Sequence, residues 1–240
     1  MQYIIETYDC VGSTNDIVKE KAKAGAPAGT VVLASAQTAG RGRMGRHFAS
    51  PMGSGLYMSV LLRPSGSAAD ALTITTRAAV AVAKVIETYT RRPAAIKWVN
   101  DIYQNGKKVC GILTEGQISE GGGMEYAVLG IGINLRAPDG GFPAEIREIA
   151  GAIFGADEAF DRDAIACDIL DEFFDGCADP YGEYTKRSML DGKTVTVFRG
   201  GEPLYSAEVL GIDRDFALRL RLADGSETAL QSGEVSVKAQ

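Results

Sequence analysis

Residues 30–46 read TVVLASAQTAGRGRMGR: an apolar run, Thr30 to Gln37, leads directly into a segment where Gly40, Gly42 and Gly45 are interleaved with Arg41, Arg43 and Arg46. The run has the length and β-branched content of a buried strand. A second strand-like run, Leu56 to Leu62, follows the turn residues Pro51-Met52-Gly53, so the basic loop is suspended between two strands. Glycine lets a backbone approach a ligand closely, and arginine presents a planar fork of donors suited to phosphate or carboxylate. The pair predicts an anion clamp. In isolation the same loop reads equally well as a solvated segment or an RGG-like nucleic-acid segment; its place between two strands favours the clamp. It is not a phosphate-binding P-loop, because the glycine-lysine-serine or threonine ending is missing. With almost no apolar residue to anchor it, the loop from Thr38 to Phe48 is expected to be mobile until an anionic ligand orders it.

Outward from the loop, Tyr3 to Tyr8 reads as a strand, with Ser13-Thr14 at the N-cap of a helix over Asn15 to Ala24 that Gly25 stops. Ala68 to Thr90 is the longest helical stretch, with Leu72, Ala79, Val82, Val85 and Ile86 on a buried face. A strand-rich block follows: Ala95 to Trp98, Ile102 to Gln104, Lys107 to Glu115 and Tyr126 to Leu135, with a hairpin signal at Asn105-Gly106. Arg162 to Tyr184 predicts a helix broken around Pro180. From Leu190 the chain changes to short strands (KTVTVFR, PLYSAEVLGID, FALRLRL, VSVK) spaced as in a small β-barrel. Strands and helices do not alternate regularly, so the class is α+β: a mixed sheet packed with helices over residues 1–188, then a barrel over 189–240.

Composition narrows the function. The chain has 240 residues, enough for one large and one small domain, and no run approaches the ~20 apolar residues of a membrane helix. No secretory signal is visible at MQYIIETYDC, so the expected location is cytoplasmic. Cys10, Cys110, Cys167 and Cys177 form no C-x-x-C pair and read as reduced thiols rather than zinc ligands. A formal net charge of −6 argues against general nucleic-acid binding.

Two further segments carry chemistry. Lys97-Trp98-Val99-Asn100-Asp101 precedes the hairpin whose far arm carries Lys108-Val109-Cys110-Gly111, and pairing of the arms places Lys108 across from the segment just after Asp101, putting a cation and polar groups near one another. A lysine beside a turn is ordinarily only solvated. Gly130-Ile131-Gly132-Ile133-Asn134 ends an apolar strand; its glycines permit close ligand approach, and Asn134 could bond a base or ribose, although a glycine-containing core strand has the same pattern. His47, the single histidine, has no evident acid–base partner and reads as a loop residue.

The order STND (13–16), Q-x-x-GRGRMGR (37–46), F-x-S-P-x-G-x-G-L-Y-x-S (48–59), KWVND (97–101), KVCGILTE (108–115) and GIGINL (130–135) resembles the biotin protein ligases along the whole catalytic domain. The terminal GEVS stretch resembles their C-terminal SH3-like barrel. The resemblance implies a stand-alone ligase, without an N-terminal DNA-binding domain, that forms biotinyl-5'-AMP from biotin and ATP with Mg²⁺ and holds no tightly bound prosthetic group. It would transfer biotin to a lysine of a biotin carboxyl carrier protein, from acetyl-CoA carboxylase or another carboxylase. DNA and membrane partners are not expected, and the assembly would be a monomer or homodimer. A lipoate or octanoate ligase or transferase of the same fold is the alternative.

By that resemblance Ser13, Thr14, Asn15 and Gln37 hold the biotin ring, while Arg41, Gly42, Arg43, Gly111 and Gly130 lie along the rest of the molecule. Lys108 meets the reacting carboxylate and phosphate, and with Arg43 forms the catalytic pair. Arg46, Phe48, Asn100, Asp101 and Asn134 belong, with Arg43, to the nucleotide side; metal ligands are not assigned. The chain departs from the family pattern at Val99, usually proline, and at Phe48, usually tryptophan. Phe48 keeps an aromatic face and loses the indole donor.

Overall fold

A computed structural model describes residues 3–64, 70–120, 122–231 and 235–239. Residues 68–69 of the long helix, and Gly233-Glu234 of the GEVS stretch, lie outside them. The chain runs β1 (Ile4–Val11), α1 (Thr14–Lys23), β2 (Thr30–Gln37), β3 (Gly55–Leu62), α2 (Asp70–Thr90), β4 (Ala95–Lys97), β5 (Asp101–Gln104), β6 (Lys107–Ile118) and β7 (Met124–Asn134). Then come α3 (Arg162–Asp171), α4 (Pro180–Lys186), β8 (Thr194–Arg199), β9 (Glu202–Ile212), β10 (Leu218–Arg221), β11 (Glu227–Leu230) and β12 (Val235–Ala239). The class is α+β, as the lack of βαβ alternation requires.

Seven strands form one mixed sheet in the order β1-β2-β3-β7-β6-β5-β4. Only β1 and β2 are parallel. The central strands are covered on both faces, which is why β2 and β3 read as unbroken apolar runs. Val31 and Leu33 of β2, with Leu56, Met58 and Val60 of β3, face the main core, to which α2 and α3 also contribute. Val32 and Leu61 point the other way, against Val18 and Ala22 of α1. α2 is buried around its whole circumference from Ala78 to Ala83, so it is apolar all round rather than striped. The helix predicted over 162–184 divides as expected before Pro180: α3 passes through a π-helical turn at Glu172–Gly176, and Asp179 caps α4 by accepting from the Gly182 N–H.

The last strands form a five-stranded antiparallel sheet in the order β11-β10-β9-β8-β12. Val195, Val197, Leu218 and Leu220 alternate inward with exposed neighbours. The expected barrel is left open: among the described residues the end strands β11 and β12 do not pair. β9 is staggered, pairing with β8 from Glu202 to Glu208 and with β10 from Glu208 to Ile212. Within this second part Leu210 of β9 is the extra residue of a bulge, opposite the step from Arg219 to Leu220, and it bends the strand there.

This sheet is bonded to the larger one around Trp98. The Trp98 indole N–H donates to the Phe216 carbonyl at 2.9 Å, and the Tyr184 hydroxyl donates to the Val99 carbonyl at 3.1 Å. The Tyr184 and Phe216 rings meet edge to face, 5.5 Å apart. Val99 is fully buried, and the peptide joining it to Trp98 is cis. Because an unmatched buried carbonyl costs about 1–3 kcal/mol, Trp98→Phe should lower stability by that amount. Denaturation followed by circular dichroism measures it, Trp98 being the only tryptophan; an unchanged midpoint would show that the bond contributes nothing.

Candidate functional site

The site originates in the alternation of β7. Tyr126 and Val128 lie beneath α1, and the next residues on that face are Gly130, Gly132 and Asn134, while Ile131 and Ile133 enter the core on the other side. Neighbouring strands continue the clearing: Ser59 and Leu113 pair with Gly130, and Gly111 pairs with Gly132 and, on its other side, with Asp101. Beyond the start of α1, the sheet face therefore carries glycines at Gly130, Gly132 and Gly111. A cavity of about 540 Å³ occupies the space, and every residue assigned to ligand binding from the sequence lines it.

One end of the cavity is uncharged and polar. Ser13, Thr14 and Asn15 are buried at the start of α1. Ser13 occupies the N-cap without a side-chain capping bond, and the Thr14 N–H is satisfied instead by Gln37 Oε1 at 2.9 Å. The Thr14 hydroxyl donates to the same oxygen at 3.1 Å, and Gln37 Nε2 donates to Ser50 Oγ at 2.9 Å. Ser59 Oγ lies 2.7 Å from Thr14 Oγ1 and 2.5 Å from Asn15 Oδ1. Gly130 is required here, since a Cβ on it would fall 2.3 Å from Asn15 Oδ1. Ser50 and Ser59 had no role in the sequence reading; their signal was their position in the F-x-S-P-x-G-x-G-L-Y-x-S motif.

The glycine–arginine loop is a short hairpin. The Gly42 N–H donates to the Arg46 carbonyl at 2.7 Å and the Phe48 N–H to the Gly40 carbonyl at 2.9 Å, with Met44 and Gly45 in the left-handed region at the turn. The loop has almost no apolar anchor, and its tie to the rest of the chain is polar. Arg41 grips Asp16 of α1 through both terminal nitrogens, at 2.8 and 2.5 Å, and reaches Glu115 at 3.4 Å. Its guanidinium is thus engaged with carboxylates of the protein itself. Phe48 lays its ring on Gly111 and Gly132; a Cβ at Gly132 would stand 2.6 Å from that ring. Arg46 and His47 are exposed on the hairpin.

The middle of the cavity is cationic. Arg43 donates to Asn100 Oδ1 at 3.3 Å, and burial pushes its guanidinium below the ordinary value, with Asp101 opposing the shift. Lys108 Nζ lies 2.7 Å from Asp101 Oδ1 and arches over Gly111. The hairpin sets Lys108 opposite Tyr103, in the segment just after Asp101 as the spacing implied, with a register shift between Ile102 and Tyr103, and the lysine side chain reaches back to Asp101. Asn100 is fixed by Nδ2 donating to the Ile112 carbonyl at 2.8 Å. Asn134 Nδ2 donates to the Gly151 carbonyl at 2.9 Å.

That last bond ties the site to a wall the sequence reading missed. Pro138, Phe142, Ile146, Ile149 and Ala150 close the far end of the cavity, and the segment is held to β6 by the Lys108 N–H donating to the Ile149 carbonyl at 2.7 Å. The available signal was the spacing of Phe142, Ile146 and Ile149. It was obscured because Pro138, Gly140, Gly141 and Pro143 break the stretch into turns. Asp101 is the only carboxylate in the described cavity wall. Among the described residues no group of three or more His, Cys, Asp or Glu side chains could form a metal cage, and all four cysteines are free. No described helix is long and apolar enough to cross a membrane.

Comparison with known proteins places this arrangement. Residues 8–134 match the model of the biotin/lipoate A/B protein ligase family. The bifunctional ligase/repressor BirA of Bacillus subtilis is 42% identical over 164 residues, covering 68% of this chain and 50% of the relative. The chain therefore spans about half the length of that protein. The biotin–[acetyl-CoA-carboxylase] ligase of Mycobacterium tuberculosis is 31% identical over 241 residues, with 93% of this chain and 85% of the relative covered. In fold, a biotin protein ligase of Aquifex aeolicus, solved in complex with biotin and ATP, superposes with a TM-score of 0.79 at 24% identity, over 98% of this chain and 99% of that one. The family match runs from β1 to the end of β7, the strands and α1 start that build the cavity, and the chain belongs to the biotin/lipoate A/B protein ligase family.

Proposed function

We propose that the chain is a biotin protein ligase, forming biotinyl-5'-AMP from biotin and ATP and transferring biotin to a lysine of a biotin carboxyl carrier protein. The observation that carries the reading is the joining, in one cavity, of an uncharged hydrogen-bonding end to a cationic middle across a floor of glycines. Ser13, Thr14, Asn15 and Gln37 offer neutral donors and acceptors suited to a ureido group, which has two N–H donors and one carbonyl. The lipoyl dithiolane ring has neither and could exchange no hydrogen bonds with these groups, whereas a ureido group could; a site built for hydrogen bonding discriminates against such an analogue. Gly42 and Gly130 would flank the aliphatic tail, bringing its carboxylate to Gly111, Lys108 and Arg43. Arg46, Phe48, Asn100, Asp101 and Asn134 would surround the nucleotide. The relatives named as acetyl-CoA-carboxylase ligases support a carboxyl carrier as acceptor. Residues 1–188 and 189–240 are taken as the two domains.

In the first step a biotin carboxylate oxygen attacks the α-phosphorus and pyrophosphate leaves. In the second the neutral amine of the carrier lysine attacks the acyl carbon, AMP leaves and the amine loses its proton. No protein nucleophile is needed. Lys108 and Arg43 hold two anions together and stabilise charge on the phosphoryl oxygens. Mg²⁺ would supply charge neutralisation on the triphosphate, held mostly by phosphate oxygens and water, Asp101 being the one carboxylate of the described cavity wall that could assist.

The chain incubated with MgATP and biotin, lipoate or octanoate, and assayed by mass spectrometry, should yield an acyl-adenylate only with biotin and then label a carboxyl carrier. A lipoyl- or octanoyl-adenylate formed in preference would establish the alternative. Lys108→Gln should reduce adenylate formation by about 100-fold or more with the circular dichroism spectrum unchanged, and full activity would remove Lys108 from the site. Gly130→Val, by displacing Asn15, should weaken biotin binding at least tenfold, an order-of-magnitude expectation for overpacking, with ATP binding little affected. Equal losses in calorimetric titration would indicate a folding defect instead.

A further inference from the structure

We propose that Asp16 and Glu115 are positioning residues for the hairpin over residues 40–48, holding Arg41 so that the hairpin lies over the cavity before any ligand arrives. The inference rests on the biotin ligase reading for its meaning, though its geometry is independent of it. Asp16 stands in the first turn of α1, directly after Thr14 and Asn15, and receives both terminal nitrogens of Arg41. Glu115 of β6 accepts from three cations or amides at once: Lys19 at 2.6 Å, Asn15 Nδ2 at 2.7 Å and Arg41 at 3.4 Å. Two carboxylates thus balance two cations, and one of the carboxylates also fixes the amide that defines the polar end of the cavity.

An isolated exposed ion pair contributes little, and Arg41 and Asp16 are partly exposed. This pair differs in being bidentate and part of a network. The Arg41 guanidinium is held above its ordinary value, first by its hydrogen bond to Asp16. Burial would raise the Glu115 carboxyl, but bonds from Lys19 and Asn15 hold it below the usual range. Arg41 is continuous with the hairpin: its flanking residues Gly40 and Gly42 make the two bonds that close it, to Phe48 and Arg46. Fixing Arg41 therefore places Arg43 beside Asn100 and the Phe48 ring on Gly132. A ligand meeting a preformed hairpin spends less of its binding energy on ordering it. Asp16 touches no reacting atom in this scheme, so its loss should be felt in binding rather than in chemistry.

Three measurements on Asp16→Asn, with Asp16→Glu as the conservative control, decide the matter. Trypsin should cut after Arg43 or Arg46 in ligand-free Asp16→Asn about tenfold faster than in the wild type, as expected when a local opening equilibrium shifts by one interaction. The biotin KM for adenylate formation should rise about three- to tenfold with kcat within twofold, the pattern of lost binding energy, and Asp16→Glu should restore most of it. In a double-mutant cycle, Asp16→Asn should add nothing to Arg41→Ala. Unchanged cleavage in the ligand-free protein, or additive effects in the cycle, would overturn the proposal. A wild-type protein that forms no biotinyl-adenylate would overturn the ligase reading instead, leaving the cleavage comparison to judge the positioning role alone.

Discussion

The structure depends on the absence of side chains at Gly111, Gly130 and Gly132 on one face of the seven-stranded sheet. Strand periodicity requires Ile131 and Ile133 to enter the core, so the residues between them must face the opposite way. Any side chain at Gly130 would collide with Asn15, and any at Gly132 with Phe48. The glycines therefore do two things at once: they clear a floor for ligand, and they let α1 and the hairpin close down on that floor from either side.

The walls around this floor differ in electrostatic character. Near α1 the buried groups are neutral and satisfy one another, Gln37 accepting from the first free N–H of the helix, that of Thr14. Toward β5 and β6 the groups are charged, with Lys108 paired to Asp101 and Arg43 brought to Asn100. A molecule with a neutral polar head and an anionic tail, entering head first, would find complementary groups along its length. Its carboxylate would then stop where a second anion can also be held. The proposed chemistry needs little more than this juxtaposition, because both steps are displacements between bound reactants.

Much of this was legible in the sequence because it depends on local pattern. The hairpin at Asn105-Gly106 follows from positive φ at both residues, observed at 52° and 74°. The glycine–arginine loop stood out by its composition, and all of the assigned residues line the cavity. What was not legible depends on distant partners. The Arg41 anchor joins residues 25 and 74 positions apart, so composition alone made the loop seem unattached. The wall over Pro138 to Gly151 has its apolar spacing interrupted by proline and glycine, and it is placed by turn bonds and two ties to Lys108. Whether the end strands of the last sheet pair depends on partners that are distant in sequence, which strand spacing does not encode.

The central claim is that a single cavity holds biotin and the nucleotide end to end, and a crystal structure of the chain with biotin and a non-hydrolysable ATP analogue tests it most directly. The account predicts the ureido ring against Thr14, Asn15 and Gln37, with the carboxylate facing the α-phosphate between Lys108 and Arg43. Density for either ligand outside the glycine floor, or a biotin carboxylate turned away from Lys108, would contradict it.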